Sequence, residues 1–238
     1  MKKINLFCFP FAGGNKYSYR DYEKFIPSNI KLIPIESAGR GMRFSEKLPS
    51  SIEETVADYY DQIKDYLQEP YAIYGHSMGS LTGFLVAKKI LEENLNPPLH
   101  LFFSGRAGPS AKDKDVKRHT LPKKEFIEEL KTLDGIPEEV FNDEDLMELF
   151  EPILRADFKA IETYTYTSSE AINIPISVAI GKEEKVTLEE AETWQEESLH
   201  PVKIKQFPGK HFFIFQYPKH VMRWIALELL SIKTTVHN

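Results

Sequence analysis

A single cysteine, Cys8, stands in the whole chain, so no intrachain disulfide can form and a metal site built on several thiolates is excluded. That usage fits a reducing compartment. Long apolar runs are missing as well. Nothing approaches the roughly 20 consecutive apolar residues of a membrane span. The short run after Met1-Lys2-Lys3-Ile4-Asn5 ends at Pro10, with no small-residue cleavage site behind it. The expectation is a soluble, cytoplasmic protein with no membrane partner. A basic surplus is lacking too: 30 Lys and Arg face 36 Asp and Glu, a net charge of −6. Nucleic acid is therefore a poor partner. The histidines are scattered, and there is no HExxH pattern, so no metal or other bound cofactor is expected.

What is present is an ordinary globular composition, 42% hydrophobic and 28% charged over 238 residues, enough for one large domain spanning 1–238. Short apolar runs at 4–11, 30–36, 71–76, 100–105, 174–181 and 202–208 read as strands. Between them, 52–67, 78–93, a stretch through 189–197 and 219–231 read as helices. This alternation predicts an α/β fold, a mostly parallel central sheet flanked by helices on both faces. One block breaks the rhythm. Residues 112–169 carry no convincing strand, but two helical patterns, near 123–133 and 146–164, with Gly135-Ile136-Pro137 between them. The block reads as an inserted helical lid, against the plainer alternative of two ordinary covering helices.

Gly75-His76-Ser77-Met78-Gly79 follows the strand at 71–76 and opens an apolar helix. A turn this tight strains the serine backbone and lifts the hydroxyl above the sheet, the nucleophile elbow of the α/β-hydrolase fold. Side chains at Gly75 and Gly79 would clash across it. Ser77 is thus the candidate nucleophile, and the helix start behind it favours developing negative charge. An acyl-transfer site needs two backbone donors for its oxyanion. Met78 N–H is the first. The loop Phe9-Pro10-Phe11-Ala12-Gly13-Gly14 offers the second, Ala12 N–H, with Phe11 N–H in reserve. The same glycines could serve a plain or phosphate-binding turn, but the loop lacks the GxGxxG spacing and a P-loop lysine.

Chain order in this fold is serine, acid, histidine. His211 follows the last strand and is the candidate base, whereas His200, His220 and His237 read as surface residues. The acid should follow the strand at 174–181, where Gly181-Lys182-Glu183-Glu184 stands. Glu184 is the choice and Glu183 the reserve, holding the His211 tautomer. Tyr17, Tyr19 and Tyr22 are read as packing aromatics ahead of pocket liners.

Phe7-Cys8-Phe9-Pro10-Phe11-Ala12-Gly13-Gly14 closely resembles the opening motif of the type II thioesterases, stand-alone editing enzymes of nonribosomal peptide and polyketide synthesis. The resemblance continues through Gly75-His76-Ser77-Met78-Gly79, Ser104-Gly105-Arg106, Leu121-Pro122 and Leu133-Asp134-Gly135-Ile136-Pro137. Pro152-Ile153-Leu154-Arg155-Ala156-Asp157-Phe158 and Gly209-Lys210-His211 complete it. It implies hydrolysis of acyl thioesters held on the phosphopantetheine arm of acyl or peptidyl carrier protein domains. It further implies an acyl-enzyme on Ser77, a lid over the acyl channel and a monomer. The family usually has aspartate where Glu184 stands. Arg155 and Asp157 are given a structural role, an ion pair anchoring the lid helix. A carboxylesterase or lipase on free esters, and a catalytically dead hydrolase-fold binding module, are the competing readings.

Overall fold

The computed structural model describes residues 3–111, 117–133, 135 and 138–235. Six strands form one sheet: β1 (Ile4–Phe9), β2 (Ile30–Pro34), β3 (Tyr71–His76), β4 (Leu101–Ser104), β5 (Ile176–Gly181) and β6 (Lys203–Phe207). Every pairing is parallel, and the order is β2-β1-β3-β4-β5-β6. The helices that return the chain are α1 (Ile52–Ile63), α2 (Met78–Glu92), α3 (Lys123–Leu133), α4 (Glu138–Asn142), α5 (Glu144–Thr163), α6 (Leu188–Glu192), α7 (Phe213–Gln216) and α8 (Pro218–Thr235). The α/β expectation holds. Three of these helices, α3 to α5, lie between β4 and β5; α3 and α5 fall on the two helical patterns expected there, and the short α4 between them is additional.

Alternation within the strands builds two cores, one on each face. Phe7, Phe9, Tyr71 and Ile73 pack with α1, α2 and Trp194, while Leu6, Cys8, Ala72, Tyr74 and Phe102 pack with α8. Because both faces are covered, the central strands are buried at every position, and their sequence reads as unbroken apolar runs. A third, smaller cluster of Phe126, Leu130 and Leu154 belongs to α3 and α5 themselves. The 3₁₀ run Lys16–Phe25 escapes a reading by strand and helix periodicity. It buries Tyr19 and Tyr22 as packing residues, but leaves Tyr17 55% exposed and outside the core. Among the described residues, no helix is long and apolar enough to cross a membrane.

The order reverses beside β1, whose neighbours β2 and β3 lie on opposite sides, and chain crossovers leave loops at the carboxyl ends of the strands. Clefts in parallel sheets open there. Phe11, Ala12, Ser77, Glu183, Glu184 and His211 sit on those loops, and Met78 opens the helix that follows one of them.

Candidate active site

Ser77 occupies the one-residue turn between β3 and α2, with φ 55° and ψ −114°. Asn94 is the only other non-glycine residue of positive φ among the described residues. Such a conformation is strained for a side-chain-bearing residue and persists only where the surroundings dictate it. Here they do. Ser77 N–H donates to Ser104 O at 2.7 Å, and Ser80 Oγ donates to Gly75 O and Ser104 O at 3.0 Å each. The turn is thereby fastened to the end of β4. A Cβ at Gly75 would fall on the Gly79 carbonyl, and one at Gly79 on the Phe9 carbonyl. Backbone cannot give way as a side-chain end can. Gly79→Ala is therefore expected to destabilise by on the order of 3 kcal/mol or more, or to prevent folding. Denaturant unfolding checks it, and a loss within about 1 kcal/mol would refute this account of the turn.

His211 lies in the loop between β6 and α7, partly exposed, and its Nδ1 is 3.1 Å from Glu184 Oε2. The longer glutamate arm thus reaches the imidazole from the turn after β5. The Glu184 side chain is fully shielded from solvent, whereas neighbouring Glu183 is exposed. Burial raises the pKa of Glu184, and the hydrogen bond and charge of His211 only partly oppose that. Glu184 Oε1 has no hydrogen-bond partner. Of the other late histidines, His200 is half-buried and bonded to Asn173, His220 is exposed, and His237 lies outside the described residues.

A cavity of about 390 Å³ gathers Phe11, Ala12, Ser77, Glu183, Glu184 and His211 at one mouth. Leu130, Leu133, Leu154, Phe158 and Ile161 of α3 and α5 supply its apolar wall. Met78 is the first residue of α2, where a helix leaves its N–H groups without intrahelical partners. Ala12 and Phe11 precede Gly13, which takes φ +77°. Among the described residues no group of three or more His, Cys, Asp or Glu could hold a metal ion.

Three features of the site escape the sequence reading. His76 is fully buried against His211, ring centroids 4.7 Å apart, with Nδ1 2.9 Å from Ser104 Oγ. Burial, reinforced by His211, holds its pKa well below the ordinary value, so the ring is neutral. Gly105, at φ +65°, has no side chain because a Cβ there would sit 2.5 Å from His76 Cε1 and 2.9 Å from His211 Cε1. A glycine directly after a strand was the available signal for that contact. The third is Arg40. Asp157 does anchor α5 by an ion pair, but its partner is Arg40 and not Arg155, at 2.7 Å for each of two bonds. Arg155 instead pairs with Glu151 and donates to the carbonyls of His119 and Leu121. The two side chains lie two residues apart on a helix, and such neighbours do not face one another.

Against known proteins, the family model described as a thioesterase domain matches residues 4–227. The gramicidin S biosynthesis protein GrsT of Aneurinibacillus migulanus is 33% identical over 228 residues, covering 95% of this chain and 89% of that protein. The crystal structure of ClbQ from the colibactin NRPS/PKS pathway superposes with a TM-score of 0.93 at 32% identity, covering 98% of this chain and 100% of that one. The type II thioesterase BorB from the borrelidin biosynthetic cluster gives 0.87 at 30% identity, with 95% and 93% covered. Matched almost from end to end by sequence and by fold, this chain belongs to the thioesterase family, as an α/β-hydrolase akin to its type II enzymes.

Proposed function

We propose that the protein hydrolyses acyl thioesters carried on the phosphopantetheine arm of acyl or peptidyl carrier protein domains, clearing blocked or wrongly primed synthases. The observation that carries this reading is the cavity. One apolar chamber of about 390 Å³ meets a strained serine and a histidine–carboxylate pair at its mouth. Its apolar wall suits an acyl chain. Relatives from gramicidin S and colibactin biosynthesis support a carrier-bound donor.

In this mechanism Ser77 is the nucleophile and His211 the general base. His211 Nδ1–H donates to Glu184, which fixes the tautomer and leaves Nε2 to take the Ser77 proton. The serine oxygen attacks the thioester carbonyl. The oxyanion of the tetrahedral intermediate is held by the N–H groups of Met78 and Ala12. His211 returns the proton to the departing pantetheine thiolate, and an acyl-enzyme remains. Water, activated by the same imidazole, then releases the acid and regenerates Ser77. Glu184 is the acid of the triad and Glu183 its exposed neighbour. All the chemistry is done by side chains and backbone, so no cofactor is invoked beyond the pantetheine of the substrate. The block 112–169, with α3 to α5 in it, serves as a lid over the chamber in a single domain, and a cytoplasmic monomer completes the reading.

The test is acid release from an acetyl-phosphopantetheinyl carrier protein, compared with turnover of p-nitrophenyl acetate. The expected result is a kcat/KM on the carrier-bound acyl group at least about 10-fold above that on the free ester. That corresponds to about 1.4 kcal/mol of additional transition-state stabilisation. Good turnover of the free ester with little carrier release would replace the reading with a carboxylesterase.

A further inference from the structure

Three remote stretches of chain meet beside the loop after β1. Arg40 comes from the connection between β2 and α1, Asp157 from α5, and Gly13-Gly14 from the loop itself. The Arg40 guanidinium makes two parallel bonds of 2.7 Å to the two oxygens of Asp157. Both residues are buried, at 4% and 5% exposure. Neither spends its remaining capacity on solvent. Asp157 Oδ2 also accepts from Gly13 N–H at 2.7 Å, and Arg40 donates to Gly14 O at 3.2 Å. The pair therefore grips both sides of one peptide segment, immediately after Ala12.

A second contact from α5 falls on the same residue. A Cβ at Gly13 would lie 2.6 Å from Leu154 Cδ2, so Leu154 packs directly over that backbone. Leu154 and Asp157 are three residues apart and share one face of α5. Together with the positive φ of Gly13, they dictate the path of the loop from the lid side.

Stability is a weak reason for this arrangement. Burying two charges costs several kcal/mol of desolvation each, and apolar residues of similar volume often stabilise as well or better. The pKa of Arg40 shows the balance: burial pulls it down, and the charge and hydrogen bonds of Asp157, helped by Tyr59 and Glu36, leave it raised. What apolar residues cannot supply is an acceptor for Gly13 N–H and a donor for Gly14 O. The planar fork of arginine gives that acceptor a fixed direction.

We propose that the buried Arg40–Asp157 pair is a positioning device for the reaction. It sets the loop that presents Ala12 N–H to the oxyanion, and so makes that donor's placement depend on the seating of α5. This rests on the hydrolase reading above and adds the route by which the lid reports on the site. A withdrawn α5 carries Asp157 and Leu154 away from Gly13, leaving the donor slack; a seated α5 sets it. Misplacing a preorganised donor weakens the transition state more than the ground state.

Two variants test it. Asp157→Asn removes the charge and one of the acceptors. The double variant Arg40→Met with Asp157→Leu replaces the whole pair by apolar volume. The assays are kcat and KM on an acyl-phosphopantetheinyl carrier, inhibition by a trifluoromethyl ketone that forms a tetrahedral adduct on the serine, and thermal unfolding. For both variants kcat is expected to fall about 10²-fold while KM stays within about threefold. Ketone inhibition should weaken in parallel with kcat/KM. The double variant decides the matter even if the single one folds poorly, because it is expected to recover its unfolding temperature without recovering kcat. Recovery of kcat together with stability would reduce the pair to structural cement and overturn the proposal. So would a stable variant in which KM alone rises. Should wild type itself release no acid, the hydrolase reading fails first, and the variants are not what refutes it.

Discussion

Ser77→Ala is expected to abolish acid release, lowering kcat by on the order of 10⁶-fold, while leaving the fold and its stability intact. The second half of that result separates a nucleophile from a structural serine. Ser77 stands at the N-cap position of α2, where a serine oxygen ordinarily accepts from the first turn and its loss costs about 1 kcal/mol. Here the side chain makes no cap hydrogen bond. The turn is held by backbone and neighbours instead, through Ser77 N–H to Ser104 O and the two bonds of Ser80 Oγ, none of which the substitution touches. Ser77 is also partly open to the cavity rather than packed. Two measurements check this: thermal unfolding, which should shift by less than about 2 °C, and labelling by a fluorophosphonate. Wild type should take up one adduct, at Ser77, and the alanine variant none. A labelled Ser77→Ala protein, or one that retains a tenth of the wild-type rate, would place the nucleophile elsewhere.

The sheet was legible because its strands obey both of the constraints a sequence can show. β3 coincides with the predicted 71–76, being an unbroken apolar run closed by glycine at the turn. β1 ends at Phe9 rather than at 11: Pro10 and Phe11 continue the apolar run, but the chain has already left the ladder to form the loop. Phe11 is buried there by aromatic packing against Phe212 and His76, contacts made by tertiary structure and invisible to a period of two. The short α4 and the 3₁₀ run Lys16–Phe25 leave no periodic trace in the sequence for a similar reason. Neither is long enough, or regular enough, to impose a helical period.

That Ser77, His211 and Glu184 gather at one cavity was legible because each sits where a strand ends, and the fold delivers strand ends to one place. That ordering needs only local pattern and chain order. Arg40 and Asp157 have no such signature. They are 117 residues apart, on a connection and on a helix whose mutual position depends on the whole packing arrangement. The segment around Asp157 carried a family resemblance, but its chemistry emerges only when the partner is in view.

Glu184→Gln should slow the enzyme and stabilise it at the same time. An amide in place of the carboxylate can donate to His211 Nδ1, which favours the wrong tautomer and removes the charge opposite the imidazolium. A loss of about 10⁴-fold in kcat follows by analogy with other triads. Stability should move the other way. Glu184 is fully shielded, and burial raises its pKa despite the opposing hydrogen bond from His211. A carboxyl with a raised folded-state pKa binds its proton more tightly folded than unfolded. Its favourable contribution is therefore present at low pH and lost as pH rises through that pKa, so at pH 7 the ionised group is a liability. Glutamine removes the liability while keeping the shape of the side chain. The variant should unfold at a higher temperature than wild type at pH 7, with the gap narrowing as pH falls and wild type takes up its proton. Exposed Glu183→Gln should change kcat by less than about twofold, consistent with a solvated side chain. If Glu183→Gln carried the large loss in kcat, the two carboxylates would have to exchange roles. If Glu184→Gln lost stability equally at pH 7 and pH 5, burial of its charge would not be what sets the balance.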